Sequence, residues 1–282
     1  MYASIPMIAY GVGAYNIDKL RVVILSVATL YSGFFAALIW NDITDMDIDA
    51  IAHPDRPLPS KRISKRNFFI IAVVFSILTF LFAYMVNVYC LVLVLLSALF
   101  VTVHNKYLKR WVHIPAYSEV VTPLQWVIVP IFGFLAFRNI DLLGITLFVL
   151  FTYFTDNAHD LPEGIHDKEG DQKYNVHTYA TAFGEYITAR ISLGMLILSF
   201  VLGVILVILE YLTVIFLAPF IIIWLITFKR SYKFMKYDAD TMGTEGNQLG
   251  RKIFDYFLIS YDLIFLDIFT RLILYHYLGL KI

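Results

Sequence analysis

Asn41, Asp45 and Asp49 stand at i, i+4 and i+8 in the stretch NDITDMDID, and Asp42 lies three residues before Asp45. A helix continuing through this stretch gathers all four on one side and turns Asp47 elsewhere. Like charges at this spacing repel by roughly 0.2–0.5 kcal/mol each, more where a membrane lowers the dielectric, and a divalent cation would offset that cost. In TDNAHDLPEGIHDKEGDQKYNVHT, residues 155–178, Asp167 and Asp171 repeat the i, i+4 spacing. Asp156 and Asp160 form a further pair, upstream of a break expected at Pro162 and Gly164. Hard oxygen ligands arriving from two sides suit Mg²⁺, which keeps several waters and is commonly shared with substrate phosphates.

Positive charge is interleaved with this acid. Arg56, set between Pro54 and Pro57, and Lys61 and Lys65 follow the first cluster, and Lys109 and Arg110 occupy the neighbouring polar segment. Guanidinium and ammonium groups fit phosphate oxygens, so an assembly of aspartate, Mg²⁺, diphosphate and Arg or Lys is chemically coherent. Arg56 is read as a phosphate contact, whereas Lys65 and Arg66 are read as orienting the protein only. DMDID resembles the start of a calcium loop, but Ala50 stands where that loop needs Gly and Arg56 where it needs a bidentate Glu.

Such clusters need a scaffold. The 282 residues are 60% hydrophobic and only 16% charged, a membrane composition, and the zero formal charge offers no basic field for a nucleic-acid partner. Nine apolar runs are expected to span, near 2–15, 20–40, 68–86, 88–104, 114–137, 141–156, 186–208, 210–228 and 253–277. Backbone groups find no partners in lipid, so these runs predict helices. The segments 41–67, 105–113, 157–185 and 229–252 alternate between spans and hold 16 of the 22 Lys and Arg residues, which places them on one cytoplasmic face. Both acidic clusters then lie on that face, each after an even-numbered span, which suggests two similar halves, roughly 1–138 and 139–282. No cleavable signal peptide is read at the start, and Cys90, in an apolar run, reads as a buried inert thiol.

Within the fifth span AYSEVVTPLQW is unusually polar for hydrocarbon. Glu119 there is a candidate for positioning a substrate or pairing with Lys109, with helix-to-helix hydrogen bonding as the plainer reading. Asn87 and Asn139 are expected only to terminate helices. His53, His113, His159, His166 and His177 show no metal-ligand spacing and are assigned to solvated loops, with His166 able to tune Asp167.

NDITDMDID with the adjoining HPDRPLPS, and DKEGDQKYNVHT further on, resemble the two aspartate motifs of the UbiA superfamily of intramembrane prenyltransferases. The likeness is clear over roughly residues 20–185. It implies one domain over 1–282, an all-α multi-pass transmembrane helical bundle of about nine helices around a central cavity. It further implies Mg²⁺ ions held by Asn41, Asp42, Asp45, Asp49, Asp167 and Asp171, bridged by an isoprenyl diphosphate that Lys109 also binds. Three departures from the family pattern stand out: Asn175 replaces the usual Gly, Gly164 stands where many relatives carry another acid, and the chain starts later than is common, without a preceding Arg-Pro. Asn tolerates a left-handed turn, and Asp160 is the substitute ligand considered for the acid missing at Gly164.

The chemistry expected is loss of diphosphate to leave an allylic carbocation, which a lipophilic acceptor then captures within the membrane. Asp45, Asp171 and Lys109 are the residues expected to be catalytic, with Asn41, Arg56, Tyr107, Tyr117 and Ser118 binding substrate. Tyr107, Tyr117 and Tyr153 are picked from the 24 Phe and 19 Tyr as rings to shield the cation. The EGD of the second motif resembles members acting on glycerophospholipid precursors or chlorophyll-type alcohols more than the hydroxybenzoate type. Two other classes compete: a CDP-alcohol phosphotransferase, whose DG-x2-AR pattern is absent, and a cation transporter, which would carry its acids near mid-span.

Overall fold

The computed structural model describes residues 17–278, and every regular element among them is helical. The short span expected at 2–15 lies outside the described residues. Helix α1 (Ile17–Thr44) bends at Asp45 into α2 (Met46–Ala52). After the loop carrying Pro54 and Pro57, Ser64 opens α3 (Lys65–Val86) by accepting the Asn67 N–H at 3.2 Å. Asn87 ends α3 and caps α4 (Val88–Val103), accepting the Cys90 N–H at 2.9 Å while its amide donates to Leu135 O at 3.1 Å. It therefore ties two connections together besides terminating a helix. Helix α4 runs through a π turn, His104–Leu108, into a last turn at Lys109–Trp111. Then come α5 (Tyr117–Val121), α6 (Leu124–Ala136), α7 (Leu142–Lys173), α8 (Tyr179–Phe183), α9 (Glu185–Ile208), α10 (Val214–Phe234) and α11 (Ala239–Leu278).

Among the described residues, six stretches are long and apolar enough to cross a membrane: Lys19–Thr44, Lys65–Val86, Val88–Leu108, Tyr117–Ala136, Glu185–Ile208 and Val214–Phe234. They coincide with six of the nine expected spans, and the chain is an integral membrane protein. The spans expected at 141–156 and 253–277 fall in α7 and α11, each of which joins an apolar half to a polar half in one helix.

Helix α7 does not break at Pro162 and Gly164 as expected; Pro162 is fully inside it. Proline removes the N–H that would serve the carbonyl four residues earlier, which belongs to Ala158. Ser192 of α9 donates its hydroxyl to that carbonyl at 2.8 Å. A neighbouring helix thus supplies the missing hydrogen bond, the usual way a bilayer tolerates an interior proline.

The central element is α7, packed against α11, α9 and α6, while α1 lies along α3. Lipid tails give helices little hydrophobic reason to associate, so close packing and polar pairs must hold the bundle. Both occur here. A Cβ on Gly246 would come within 2.3 Å of Pro162 O, and one on Gly250 within 2.3 Å of Glu163 Cγ, so two small residues of α11 let it close on α7, the first onto its backbone and the second onto a side chain. Tyr256 of α11 meets Ser199 of α9 at 3.0 Å, and Tyr261 hydrogen-bonds Thr152 of α7.

These contacts separate the glycines. Gly246→Ala meets rigid backbone and is expected to destabilise by about 1–3 kcal/mol, lowering the melting temperature of the detergent-purified protein. Gly194→Ala, within α9 and with nothing near the added methyl, is expected to raise it, by up to about 1 kcal/mol of helix propensity.

Candidate active site

The first motif keeps its helical register across the bend at Asp45. Asp45 N–H bonds Asn41 O, Asp49 N–H bonds Asp45 O and His53 N–H bonds Asp49 O, each at 2.8 Å. The series set by Asn41, Asp45 and Asp49 consequently continues to His53. Asp45 and Asp49 are 3% and 5% exposed, Asn41 and Asp42 are half-buried, and Asp47 points to the exterior.

Each motif is met by basic groups of the chain itself. Lys109 Nζ lies 2.8 Å from Asp45 Oδ2. Arg56 donates to Asp49 Oδ1 at 2.7 Å and stands 3.7 Å from Asp42. His53 Nε2 lies 3.2 Å from Asp167 Oδ1, which brings the two motifs directly together. The π turn explains Lys109: its extra residue shifts the register of the next helical turn by about 100°, and the lysine reaches Asp45 rather than the expected Glu119. The paired prolines around Arg56 hold it in a tight loop in which Arg56 N–H bonds His53 O at 3.0 Å.

Asp171, 7% exposed, ends the second motif on α7, with Asp167 half-buried one turn earlier. The helix closes through Asn175, whose φ of 59° is the left-handed conformation expected of it. Thr178 then caps α8 with a reciprocal box, accepting the Thr181 N–H at 3.2 Å while Thr181 Oγ1 accepts the Thr178 N–H at 2.8 Å.

Crowding these groups shifts their protonation. Burial holds the Asp171 carboxyl up at about 7, Lys109 pulling it down while Asp167 and Asp45 push it further up. Burial also raises Asp49, against its hydrogen bond and charge interaction with Arg56. Burial would lower Lys109, but Asp45 and Asp171 outweigh it and the ammonium is held above its ordinary value. The Asp167 hydrogen bond keeps His53 raised despite burial.

Elsewhere the expectations divide. Ser118 is buried, and its N–H bonds His177 O at 3.0 Å. Glu119 accepts the Tyr179 N–H and lies against Gly164, where a Cβ would meet its Oε1 at 2.0 Å; it joins α5 to α7 and α8. Tyr117 is half-buried 5.7 Å from the His104 ring, Tyr107 packs on Trp111 at 5.0 Å, and Tyr153 donates to Val120 O at 3.0 Å. Lys65 and Arg66 are exposed at the start of α3. The histidines need correction. His53 pairs with Asp167, and His159 is buried within α7 against Phe254, so neither lies on a solvated loop. The signal for His53 was present, since it is the next i+4 step after Asp49.

Whether Mg²⁺ fits can be judged from the donors. Carboxylates dominate, they arrive from two helices, and the buried Asp49 Oδ2 has no hydrogen-bond partner among the described residues. That is an oxygen set suited to a hard divalent cation.

The description "UbiA prenyltransferase family" matches residues 3–244. The digeranylgeranylglyceryl phosphate synthase of Saccharolobus solfataricus is 30% identical over 188 residues, 66% of this chain and 65% of that protein. The match thus spans just under two thirds of that relative. Among solved structures, a UbiA homolog from Aeropyrum pernix aligns with a TM-score of 0.69 at 18% identity, covering 92% of this chain and 96% of the other. A UbiA homolog from Archaeoglobus fulgidus bound to GPP and Mg²⁺ aligns at 0.53 with 13% identity, covering 93% and 94%. At these identities the likeness is one of fold.

Two outcomes are expected from the site. Lys109→Met leaves Asp45 buried beside other carboxylates, at a cost of about 3–5 kcal/mol; its melting temperature in EDTA should fall, and Mg²⁺ should raise it further than in the wild type. Because the raised Asp171 carboxyl keeps its proton up to about pH 7, a divalent cation seated there would compete with protons below that value. Between pH 8 and pH 6 the apparent Mg²⁺ affinity, read by calorimetry, should drop about tenfold.

Proposed function

Since the chain belongs to the UbiA prenyltransferase family, we propose that it transfers a prenyl group from an isoprenyl diphosphate to a lipophilic acceptor within the membrane. One observation carries this reading: two aspartate motifs from distant parts of the chain converge, and every one of Lys109, Arg56 and His53 is docked on a motif carboxylate. Asn41, Asp42, Asp45, Asp49, Asp167 and Asp171 would hold Mg²⁺. Bound there, the metal would supply Lewis-acid neutralisation of the leaving diphosphate.

The chain's own residues do the rest. Lys109 and Arg56 stand close enough to the motif carboxylates to donate to diphosphate oxygens as well, Arg56 as a planar fork and Lys109 as a point charge. Negative charge accumulating on the departing oxygen would be met by donors already in place, at little reorganisation cost. Tyr107, within the π turn, and Tyr117, packed on His104, would offer ring faces to the allylic cation, worth about 0.5–2 kcal/mol per well-placed face. Ser118, buried beside Tyr117, is the residue we assign to orienting the acceptor. For the acceptor we favour a prenylated glycerophosphate, consistent with the name of the Saccharolobus relative, over an aromatic quinone precursor. The motif face is assigned to the cytoplasmic side of the cell membrane, from the Lys and Arg residues gathered there. The bundle is read as one domain of two similar halves.

The acids cluster at one end of the bundle, which favours this reading over ion conduction through mid-span carboxylates. Geranylgeranyl diphosphate supplied with Mg²⁺ and a geranylgeranylglyceryl phosphate acceptor should yield product and free diphosphate. Asp45→Ala and Asp171→Ala should each lower diphosphate release at least about 100-fold, a loss of about 2.7 kcal/mol of transition-state stabilisation. Undiminished release in both would refute the assignment.

A further inference from the structure

One turn and more before the second motif, α7 carries a group of side chains that the prenyl-transfer reading does not use. His159, Asp160 and Glu163 each offer a donor atom, and these atoms lie within 4.8 Å of one another. His159 Nε2 is 3.1 Å from Asp160 Oδ1. The other ring nitrogen, Nδ1, is 3.4 Å from Asp156 Oδ1. Asp156 is 0% exposed and neither of its oxygens has a hydrogen-bond partner among the described residues. The ring is held by Phe254, with centroids 4.9 Å apart. Glu163 is accommodated by Gly250, where a Cβ would come within 2.3 Å of its Cγ.

We propose that His159, Asp160 and Glu163 form a separate divalent-cation site, with Asp156 orienting the histidine. Asp156, Asp160 and Glu163 crowd one buried imidazole, and a divalent cation among them would offset the mutual repulsion of the carboxylates; one ring nitrogen on that metal with the other turned toward a buried carboxylate is the common arrangement for a ligating histidine. The donor set of one imidazole and two carboxylates differs in chemical class from the aspartate motifs. Imidazole suits Zn²⁺ and the two carboxylates suit Mn²⁺, so the mixed set favours a transition metal over Mg²⁺. The spacing i, i+1, i+4 places the histidine and the glutamate on successive turns of one helix face, as a metal requires.

Mn²⁺ is the probe, added to the EDTA-stripped full-length chain in detergent and followed by pulsed electron paramagnetic resonance. The wild type should show ¹⁴N coupling to bound Mn²⁺. That coupling should persist in the Asp45→Asn/Asp171→Asn variant and in His53→Gln, and vanish in His159→Gln. Glu163→Gln, at a partly exposed side chain, should weaken the nitrogen-coupled Mn²⁺ at least tenfold. Coupling absent from the wild type, or lost with His53→Gln and retained with His159→Gln, would overturn the proposal. If His159→Gln does not fold, Glu163→Gln decides alone, and unchanged Mn²⁺ affinity there would overturn it.

Discussion

Mutual repulsion among carboxylates is the constraint around which this end of the bundle is organised. Asp45 and Asp49 are nearly buried, and Asp171 is close behind. Charges so placed cannot be left unopposed, because losing hydration costs several kcal/mol per ion. The protein answers with its own basic groups: Lys109 on Asp45, Arg56 on Asp49 and His53 on Asp167. The same electrostatics that holds the fold together therefore leaves a preorganised site in which five motif carboxylates outnumber three basic partners.

Three local devices deliver those groups. A π turn re-aims Lys109, two prolines confine the loop of Arg56, and an unbroken i+4 series brings His53 onto the second motif. None relies on a long flexible approach. The acids are equally constrained, those of the first motif by the end of α1 and those of the second by α7, which is clamped between α9 and α11.

Much of this was legible in the residues. Three acids and a carboxamide at helical spacing, and a second pair repeating it, announced both clusters, and alternation of basic segments put them at one end. Asn175 could be read as a left-handed turn from its side chain alone. What could not be read were tertiary compensations. Pro162 looked like a break because the Ser192 hydroxyl that rescues Ala158 O lies 30 residues away on another helix. Glu119, read either as a partner for Lys109 or as a helix-to-helix hydrogen bonder, takes the second role, because Gly164 opens a berth for it on α7 and the π turn carries Lys109 elsewhere. His159 looked solvated because its phase on a helix was invisible once a break had been assumed.

The continuity of α7 has a further consequence. At about 1.5 Å per residue, its 32 residues make a rod of about 48 Å running from an apolar half to the second aspartate pair. A rod of that kind transmits both height and angle. Adding or removing a single residue in its apolar half would turn Asp171 through about 100°, away from Lys109. Length in that half is thereby locked to the charge geometry above it, and evolutionary change there is confined to swapping side chains.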